Sequence, residues 1–200
     1  MTETAAPSQG RNVQSQEVPH GHPPVETPGE VPTFRAVFAA HFGYVWAALR
    51  RLGVKERDLE DVTQDVFLKV VDKLAEFDPA RPIRPWLFAF AFRVASDYRR
   101  LVRNRRELLD AQNGEPVDTA PSALERVIQA EALDLAQAAL DELDLDRRAV
   151  FILHELDDCS MPEISEALGI PLNTAYSRLR LARKQFAASA RRLRLRRGEP

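Results

Sequence analysis

The stretch 160–184, SMPEISEALGIPLNTAYSRLRLARK, constrains the fold of this chain more than any other. Ser160 is followed three residues later by Glu163, which is the capping-box pattern of a helix N-terminus. Pro162 fits the first helical turn, where its missing N–H leaves no hydrogen bond unmade. Gly169 can take the left-handed conformation that ends the helix, and a second periodic segment follows at once. The stretch therefore predicts two short helices joined by a tight turn.

The second helix of this pair has a narrow apolar side and a polar, cationic side. Ala175, Leu179 and Ala182 recur at helical spacing and predict the buried stripe. The remaining positions carry hydrogen-bonding or cationic groups, namely Asn173, Thr174, Tyr176, Ser177, Arg178, Arg180 and Lys184. An ordinary hairpin with a solvated basic face would explain the arginines alone. The combination of cap, glycine turn and cationic helix favours a DNA-binding helix-turn-helix, whose second helix reads base edges in the major groove.

The charge of the chain is distributed unevenly along its length. Of its 200 residues 29% are charged and 44% are hydrophobic, which is typical of one or two small globular domains. The net charge is only -2, but acidic residues dominate 111–145 and basic residues dominate from 160 onward. Such a basic segment is the electrostatic footprint of DNA binding. Because we find no membrane-span or signal-peptide pattern, we expect no membrane insertion and a cytoplasmic location.

The sequence offers no set of residues for metal binding or catalysis. Its single cysteine, Cys159, cannot form an internal disulfide or a cysteine-rich zinc site, and His154 nearby cannot complete a metal shell. We expect both residues to be structural, and we assign no site to His20 and His22. No nucleophile, metal shell or phosphate loop appears. We therefore expect no cofactor, no metal and no enzymatic activity.

Helical periodicity throughout the chain predicts an all-α protein with two small domains. In the first domain, apolar residues recur at spacings of three and four residues in each of the segments 32–52, 57–74 and 86–106. The expected buried stripe of the second segment is Val62, Val66, Phe67, Val70, Val71 and Leu74. The predicted organisation is a disordered N-terminal tail (1–31), a first helical domain (32–107), a flexible acidic linker (108–122), a domain that contains the helix-turn-helix (123–188) and a basic tail (189–200).

Two phenylalanines of the third segment do not fit its buried stripe. Phe88 and Phe92 are four residues apart on another face, next to Arg84 and Arg93. Aromatic and arginine side chains together hold unstacked single-stranded bases in many proteins. The alternative is that both rings pack against the first helix, and the sequence favours neither possibility.

Several separated motifs resemble bacterial RNA polymerase sigma factors of the sigma-70 family, specifically the small extracytoplasmic-function class. The resemblance covers about residues 34–186. DLEDVTQDVF at 58–67 is similar to the family segment that faces the clamp coiled coil of the largest polymerase subunit. The resemblance therefore implies that this face binds core RNA polymerase through Asp58, Asp61, Gln64 and Asp65.

Two further motifs are similar to the DNA-binding segments of the family. RPWLFAFAFRVASDYRR at 84–100 resembles the segment that opens and captures the minus-10 promoter element, and 160–184 resembles the segment that binds the minus-35 element. Ser165 stands where the family usually has alanine. The implied minus-10 set is Arg84, Phe88, Phe92, Arg93, Arg99, Arg100 and Arg103. The implied minus-35 set is Asn173, Thr174, Tyr176, Ser177, Arg178, Arg180 and Lys184.

The resemblance implies an alternative sigma factor that brings core RNA polymerase to specific promoter DNA without performing chemistry itself. Two weak contacts on one chain reinforce each other through effective concentration. An anti-sigma protein, which many members of this class have, is a further implied partner. The alternatives are a helix-turn-helix regulator, which would need an α/β receiver that the first domain does not resemble, and a protein-binding adaptor. Loss of promoter affinity in Arg178→Ala would distinguish DNA reading from the adaptor.

Overall fold

The computed structural model describes residues 31–109 and 124–197, and within these ranges it contains helices and no strands. The predicted all-α fold is thus confirmed. None of the helices in the described ranges is long and apolar enough to cross a bilayer. The predicted N-terminal tail and acidic linker fall almost entirely on residues 1–30 and 110–123, which lie outside the described ranges.

Seven α-helices follow one another in the described part of the chain. They are α1 (Phe34–Arg51), α2 (Leu59–Lys73), α3 (Ile83–Leu109), α4 (Leu124–Asp141), α5 (Leu145–Glu155), α6 (Met161–Leu168) and α7 (Leu172–Arg197). Short 3₁₀ turns at Glu56–Asp58 and Leu74–Glu76 flank α2. We call α1 to α3 the N-terminal half and α4 to α7 the C-terminal half.

The N-terminal half is a three-helix bundle in which α1, α2 and α3 all pack against one another. Thr33 caps α1, because its hydroxyl oxygen accepts a hydrogen bond from the Ala36 N–H at 3.3 Å. Phe42 of α1 stacks on Phe67 of α2, with ring centroids 6.2 Å apart. Apolar residues of α1 therefore pack against α2, as the apolar repeat of the segment 32–52 predicts.

Local side-chain contacts build the helix-turn-helix of α6 and α7 as the sequence predicts. The Glu163 carboxylate accepts hydrogen bonds from the N–H and the hydroxyl of Ser160, at 2.7 and 2.6 Å, and these bonds lower the pKa of Glu163. Gly169 has φ +64° and ends α6. Ser165, where the family has alanine, donates from its hydroxyl to the Ile170 carbonyl at 2.6 Å. This serine therefore ties the end of α6 to the turn.

Helix α7 runs without a break far beyond the helix-turn-helix. Its basic end lies along α4, where Gln185 donates to the Glu142 carbonyl at 2.7 Å and the Glu142 carboxylate contacts Ser189 and Arg192. Residues 189–197, within the predicted basic tail, are thus helical and partly held by the domain.

Cys159 and His154 have separate structural surroundings. The Cys159 thiol is buried and lies 3.6 Å from the Asp157 carbonyl oxygen, whereas the His154 ring contacts Glu155 at 2.9 Å. Burial, with neighbouring carboxylates, raises the pKa of Cys159 to about 12, so the thiol stays protonated near neutral pH.

The two halves pack directly against each other. Helix α3 contacts both α5 and α6, and buried residues of both halves form one apolar cluster. For example, Leu49 of α1 and Ile152 of α5 are both fully buried members of that cluster. The sequence predicts two tethered domains, and the structure adds an extensive contact between them.

Candidate nucleic-acid interface

The exposed side of α7 is the first candidate interface. Ala175, Leu179 and Ala182 are buried, which confirms the predicted apolar stripe. Asn173, Tyr176, Ser177, Arg180 and Lys184 are exposed, and Thr174 and Arg178 are half-buried. The predicted set thus forms a polar and cationic surface on a rigid helix.

Two ion pairs fix α7 against its supporting helix α5. Arg178 Nη2 lies 2.6 Å from Asp146 Oδ2, and Arg183 Nη2 lies 2.6 Å from Glu155 Oε1. Arg178 must therefore share its charge between Asp146 and any bound phosphate. Among the predicted cations of this surface, Arg180 and Lys184 have no partner within the described residues.

The second candidate interface lies on α3. The guanidinium carbon of Arg84 is 5.5 Å from the centroid of the Tyr44 ring, and that of Arg93 is 5.8 Å from the Phe90 ring. Farther along α3, Arg99, Arg100 and Arg103 line a cleft of about 790 Å³ between the two halves. The predicted arginines therefore lie along one helix but in two separate surroundings.

The structure places the two phenylalanines of this set differently. Phe88 is 0% exposed and belongs to the apolar core, so its predicted contact with bases is wrong for this conformation and the packing alternative applies. Phe92 is half-buried at the edge of the core. Helix α3 packs against α1 and α2 and also against α5 and α6. Because it is covered on several sides, apolar residues outside the main stripe can also be buried.

The third candidate surface lies on α2. Asp61, Gln64 and Asp65 are exposed and have no partner within the described residues. Asp58 differs, because its carboxylate accepts a hydrogen bond from the Tyr98 hydroxyl at 2.6 Å. Burial and this hydrogen bond raise the pKa of Tyr98 to about 12. Asp58 thus joins the start of α2 to α3, and the other three side chains are available for a partner.

Two apolar residues extend this surface and were not predicted as part of it. Leu68 is 63% exposed and Val71 is 45% exposed. The assignment of Val71 to the buried stripe is therefore wrong. Leu68 lies four residues after Gln64 and three after Asp65, so helical spacing alone places it on the same face. An apolar patch beside acidic and amide groups is typical of a protein-docking surface.

The helical fold and its helix-turn-helix are those of a helical DNA-binding protein. Two family models match the chain: "Sigma-70 region 2" over residues 37–106 and "Sigma-70, region 4" over residues 133–186. The first match covers the N-terminal bundle, and the second covers the helix-turn-helix with its supporting helices.

Individual proteins with similar sequences are sigma factors. The RNA polymerase sigma factor CnrH of Cupriavidus metallidurans is 32% identical over 169 residues, which cover 80% of this chain and 87% of CnrH. The ECF RNA polymerase sigma factor SigL of Mycobacterium tuberculosis is 31% identical over 159 residues, covering 76% of this chain and 86% of SigL. The chain belongs to the extracytoplasmic-function (ECF) family of RNA polymerase sigma factors.

Two solved structures resemble the present one. CnrH in complex with the cytosolic domain of CnrY has a TM-score of 0.53 and 27% identity, covering 78% of this chain and 85% of that one. RpoE in complex with the anti-sigma factor NepR, from Bartonella quintana, has a TM-score of 0.60 and 23% identity, covering 79% and 96%. The second likeness concerns the fold alone. We now refer to the N-terminal half as region 2 and to the C-terminal half as region 4.

Proposed function

We propose that this chain is an alternative sigma factor, which binds core RNA polymerase in the cytoplasm and directs it to specific promoters. The observation that carries the proposal is that regions 2 and 4 are both present and each presents a polar surface suited to its partner. The chain acts as an initiation factor, and the polymerase performs the chemistry.

In region 4, α7 enters the major groove at the minus-35 element. Its exposed side offers amide, hydroxyl and phenol groups for base edges, and Arg180 and Lys184 offer charge for phosphates. Arg178 and Thr174 lie at the edge of this contact. The ion pairs of α7 with α5 support this role, because a fixed helix loses little conformational entropy on binding.

In region 2, the cationic side of α3 holds the melted minus-10 element. Arg93 follows the half-buried Phe92 directly in the sequence, and Arg84 lies about two turns earlier on the same helix, so α3 offers both charge and a partly exposed ring for a single strand. Arg99, Arg100 and Arg103 form a second positive group farther along α3, in the cleft between the two halves.

On α2, the polymerase-docking face consists of Asp61, Gln64 and Asp65 with Leu68 and Val71. Exposed carboxylates steer the encounter with a basic partner, and the apolar pair supplies area that binding would bury. We assign Asp58 an indirect role, because its bond to Tyr98 sets the start of α2.

An anti-sigma protein is a further partner in this proposal. Support comes from the solved structure of CnrH, which is 27% identical and is bound to the cytosolic domain of CnrY. Copurification of the tagged chain from its native cells would identify such a partner.

A double substitution on α2 tests the polymerase contact. Gln64→Ala with Asp65→Ala should weaken capture by core polymerase about tenfold or more, because it removes two exposed contact groups from the docking face. The circular dichroism spectrum should not change, because neither side chain is buried. The matched control is Asp134→Ala, which removes an exposed carboxylate from α4. Equal capture of the double variant and the wild type would contradict this assignment.

A further inference from the structure

We propose that an acidic corner of region 4 docks on the cationic minus-10 surface of region 2 and holds the chain closed, so that melted DNA and this corner exclude each other. The acidic corner consists of Asp157 in the α5–α6 turn and Glu163 and Glu166 on α6. The facing cations are Arg84 and Arg93, which we assign to the minus-10 element, and the neighbouring Arg51 and Arg81. This inference rests on the proposed function, because it concerns the surface that we assign to the minus-10 element.

Asp157 is the centre of the contact. Its side chain is only 6% exposed, and its Oδ2 accepts a hydrogen bond from the Tyr44 hydroxyl at 2.8 Å. Its Oδ1 lies 3.6 Å from Nη1 of Arg51. The Tyr44 hydroxyl is also 3.4 Å from the Arg84 carbonyl oxygen, and the Arg84 guanidinium lies over the Tyr44 ring. A carboxylate of region 4 thus lies beside Arg84, one of the arginines that we assign to the minus-10 element.

The two glutamates of the corner lie along the neighbouring part of the same surface. Glu166 forms an ion pair with Arg81. Glu163 and Glu166 also line a groove of about 580 Å³ whose other wall includes Trp86 and Arg93 of α3. Glu163 keeps its hydrogen bonds to Ser160, but its charge and that of Glu166 lie across this groove from Arg93, so a strand of DNA placed there would meet negative charge from region 4.

We call the contact surface between regions 2 and 4 the seam. At a second place on the seam, Arg148 and Gln137 of region 4 contact Gly53 and Arg50 of region 2. Arg148 of α5 is 1% exposed, and its Nη1 lies 2.8 Å from Asp141 Oδ1. Its guanidinium lies against Gly53, where an added Cβ would come within 2.7 Å of Arg148 Nη1. Gly53 also has φ +93°, which favours glycine. In addition, Gln137 donates to the Arg50 carbonyl at 3.1 Å. Particular side chains therefore hold the two regions together at two places: Asp157 with Tyr44 and Arg51, and Arg148 against Gly53.

The packed arrangement cannot span a promoter. By their names the minus-35 and minus-10 elements lie about 25 base pairs apart, and at about 34–36 Å per 10–10.5 base pairs this is about 85 Å of duplex. A compact chain of this length is only about 40–45 Å across. The segment 110–123, if fully extended, covers up to about 45–50 Å, so the chain is long enough for the halves to separate. Promoter binding therefore requires the corner to leave region 2.

The test compares the closed and open states of the full chain in two variants. Asp157→Lys places a cation against Arg51 and Arg84, and Tyr44→Phe leaves the buried carboxylate without its hydroxyl donor. Small-angle X-ray scattering should show a larger radius of gyration for both variants than for the wild type. Fluorescence anisotropy with a random-sequence single-stranded DNA oligonucleotide should show about tenfold tighter binding for Asp157→Lys, because closure reduces the apparent affinity of the wild type.

Controls separate opening from added charge and from misfolding. Asp134→Lys adds the same charge at an exposed site of α4, and it should leave the radius unchanged and should not give the tenfold gain in single-strand affinity. Binding to double-stranded DNA through α7 should persist in both variants, which shows that region 4 is folded. An unchanged radius and unchanged single-strand affinity in both variants would overturn the proposal. Failure to bind core polymerase would overturn the proposed function instead and would leave the scattering result intact.

Discussion

The two surfaces that we assign to DNA differ in accessibility within one structure. On region 4, Tyr176, Arg180 and Lys184 are exposed. On region 2, Phe88 is fully buried and the neighbourhood of Arg84 is occupied by Asp157 of region 4. A recognition helix can thus be ready for its duplex while the single-strand surface of the same chain is covered. Accessibility is decided by the packing of the halves and not by the motif itself.

The largest effect is expected at the seam, from a substitution that disrupts the fit of the two halves. Gly53→Ala should lower the free energy of unfolding by about 2–3 kcal/mol, because the backbone has a left-handed φ and the added Cβ would displace the end of Arg148, a buried side chain paired with Asp141. Gly169→Ala is the matched control in the helix-turn-helix. It has φ +64° with no atom within 4 Å of an added Cβ, so it should cost only about 1 kcal/mol. Chemical denaturation measures both, and equal losses would contradict a tight seam.

On the open surface, the next largest effect is expected at an arginine without an internal partner. Arg180→Ala should weaken binding to a minus-35 duplex by about 1–3 kcal/mol, as measured by fluorescence anisotropy. Arg178→Ala should cost less, because Arg178 already pairs with Asp146 at 2.6 Å. Arg191→Ala, farther along α7, is the control for loss of charge alone. If Arg180→Ala behaved like this control, the exposed face of α7 would not be the reading surface.

The smallest effect concerns pH and the covered surface. Burial raises the pKa of Asp157 above its ordinary value of 3.8, and Tyr44, Arg51 and Arg84 oppose this shift only in part. The packed state therefore favours the protonated carboxyl of Asp157, because at this one group burial outweighs the attraction of Arg51 and Arg84. This contribution to packing is complete below 3.8 and is lost as the pH rises through the raised pKa. Lowering the pH from neutral toward that pKa should increase the packed fraction, by less than about twofold.

Asp157→Asn supplies the control for this pH dependence. Its amide oxygen can still accept from Tyr44, but it cannot titrate, so its radius of gyration should not respond to Asp157 protonation. Expansion of the wild type on acidification, with no such response in Asp157→Asn, would show that the ion pair with Arg51 dominates over burial and would reverse the predicted sign.

The sequence predicts those features that depend on neighbours along the chain. The Ser160 capping box, the Gly169 turn and the apolar stripe of α7 all lie within one short segment, and the structure contains each of them. By contrast, the sequence predicts Val71 to be buried and leaves Phe88 open, whereas the structure has Val71 exposed and Phe88 buried. The exposure of these two residues depends on which helices pack against α2 and α3. A periodic pattern identifies one buried face but not how many faces are covered.

The seam could not be predicted from a single sequence. Tyr44 and Asp157 lie far apart in the chain, and neither belongs to a motif that indicates a partner. Arg51 and Gly53 look like ordinary residues at the end of a helix until Asp157 and Arg148 are placed beside them. Contacts of this kind depend on how two folded domains pack against each other, and the apolar periodicity of single helices does not predict that packing.

The most direct test of the central claim is run-off transcription by core RNA polymerase on a promoter library, with and without this chain. The account predicts transcripts from a limited set of templates that share two separated elements, and only when the chain is present. It also predicts that the Gln64→Ala and Asp65→Ala double variant reduces this transcription strongly. Absence of polymerase capture and of chain-dependent transcripts, even with intact binding to duplex DNA, would contradict the account.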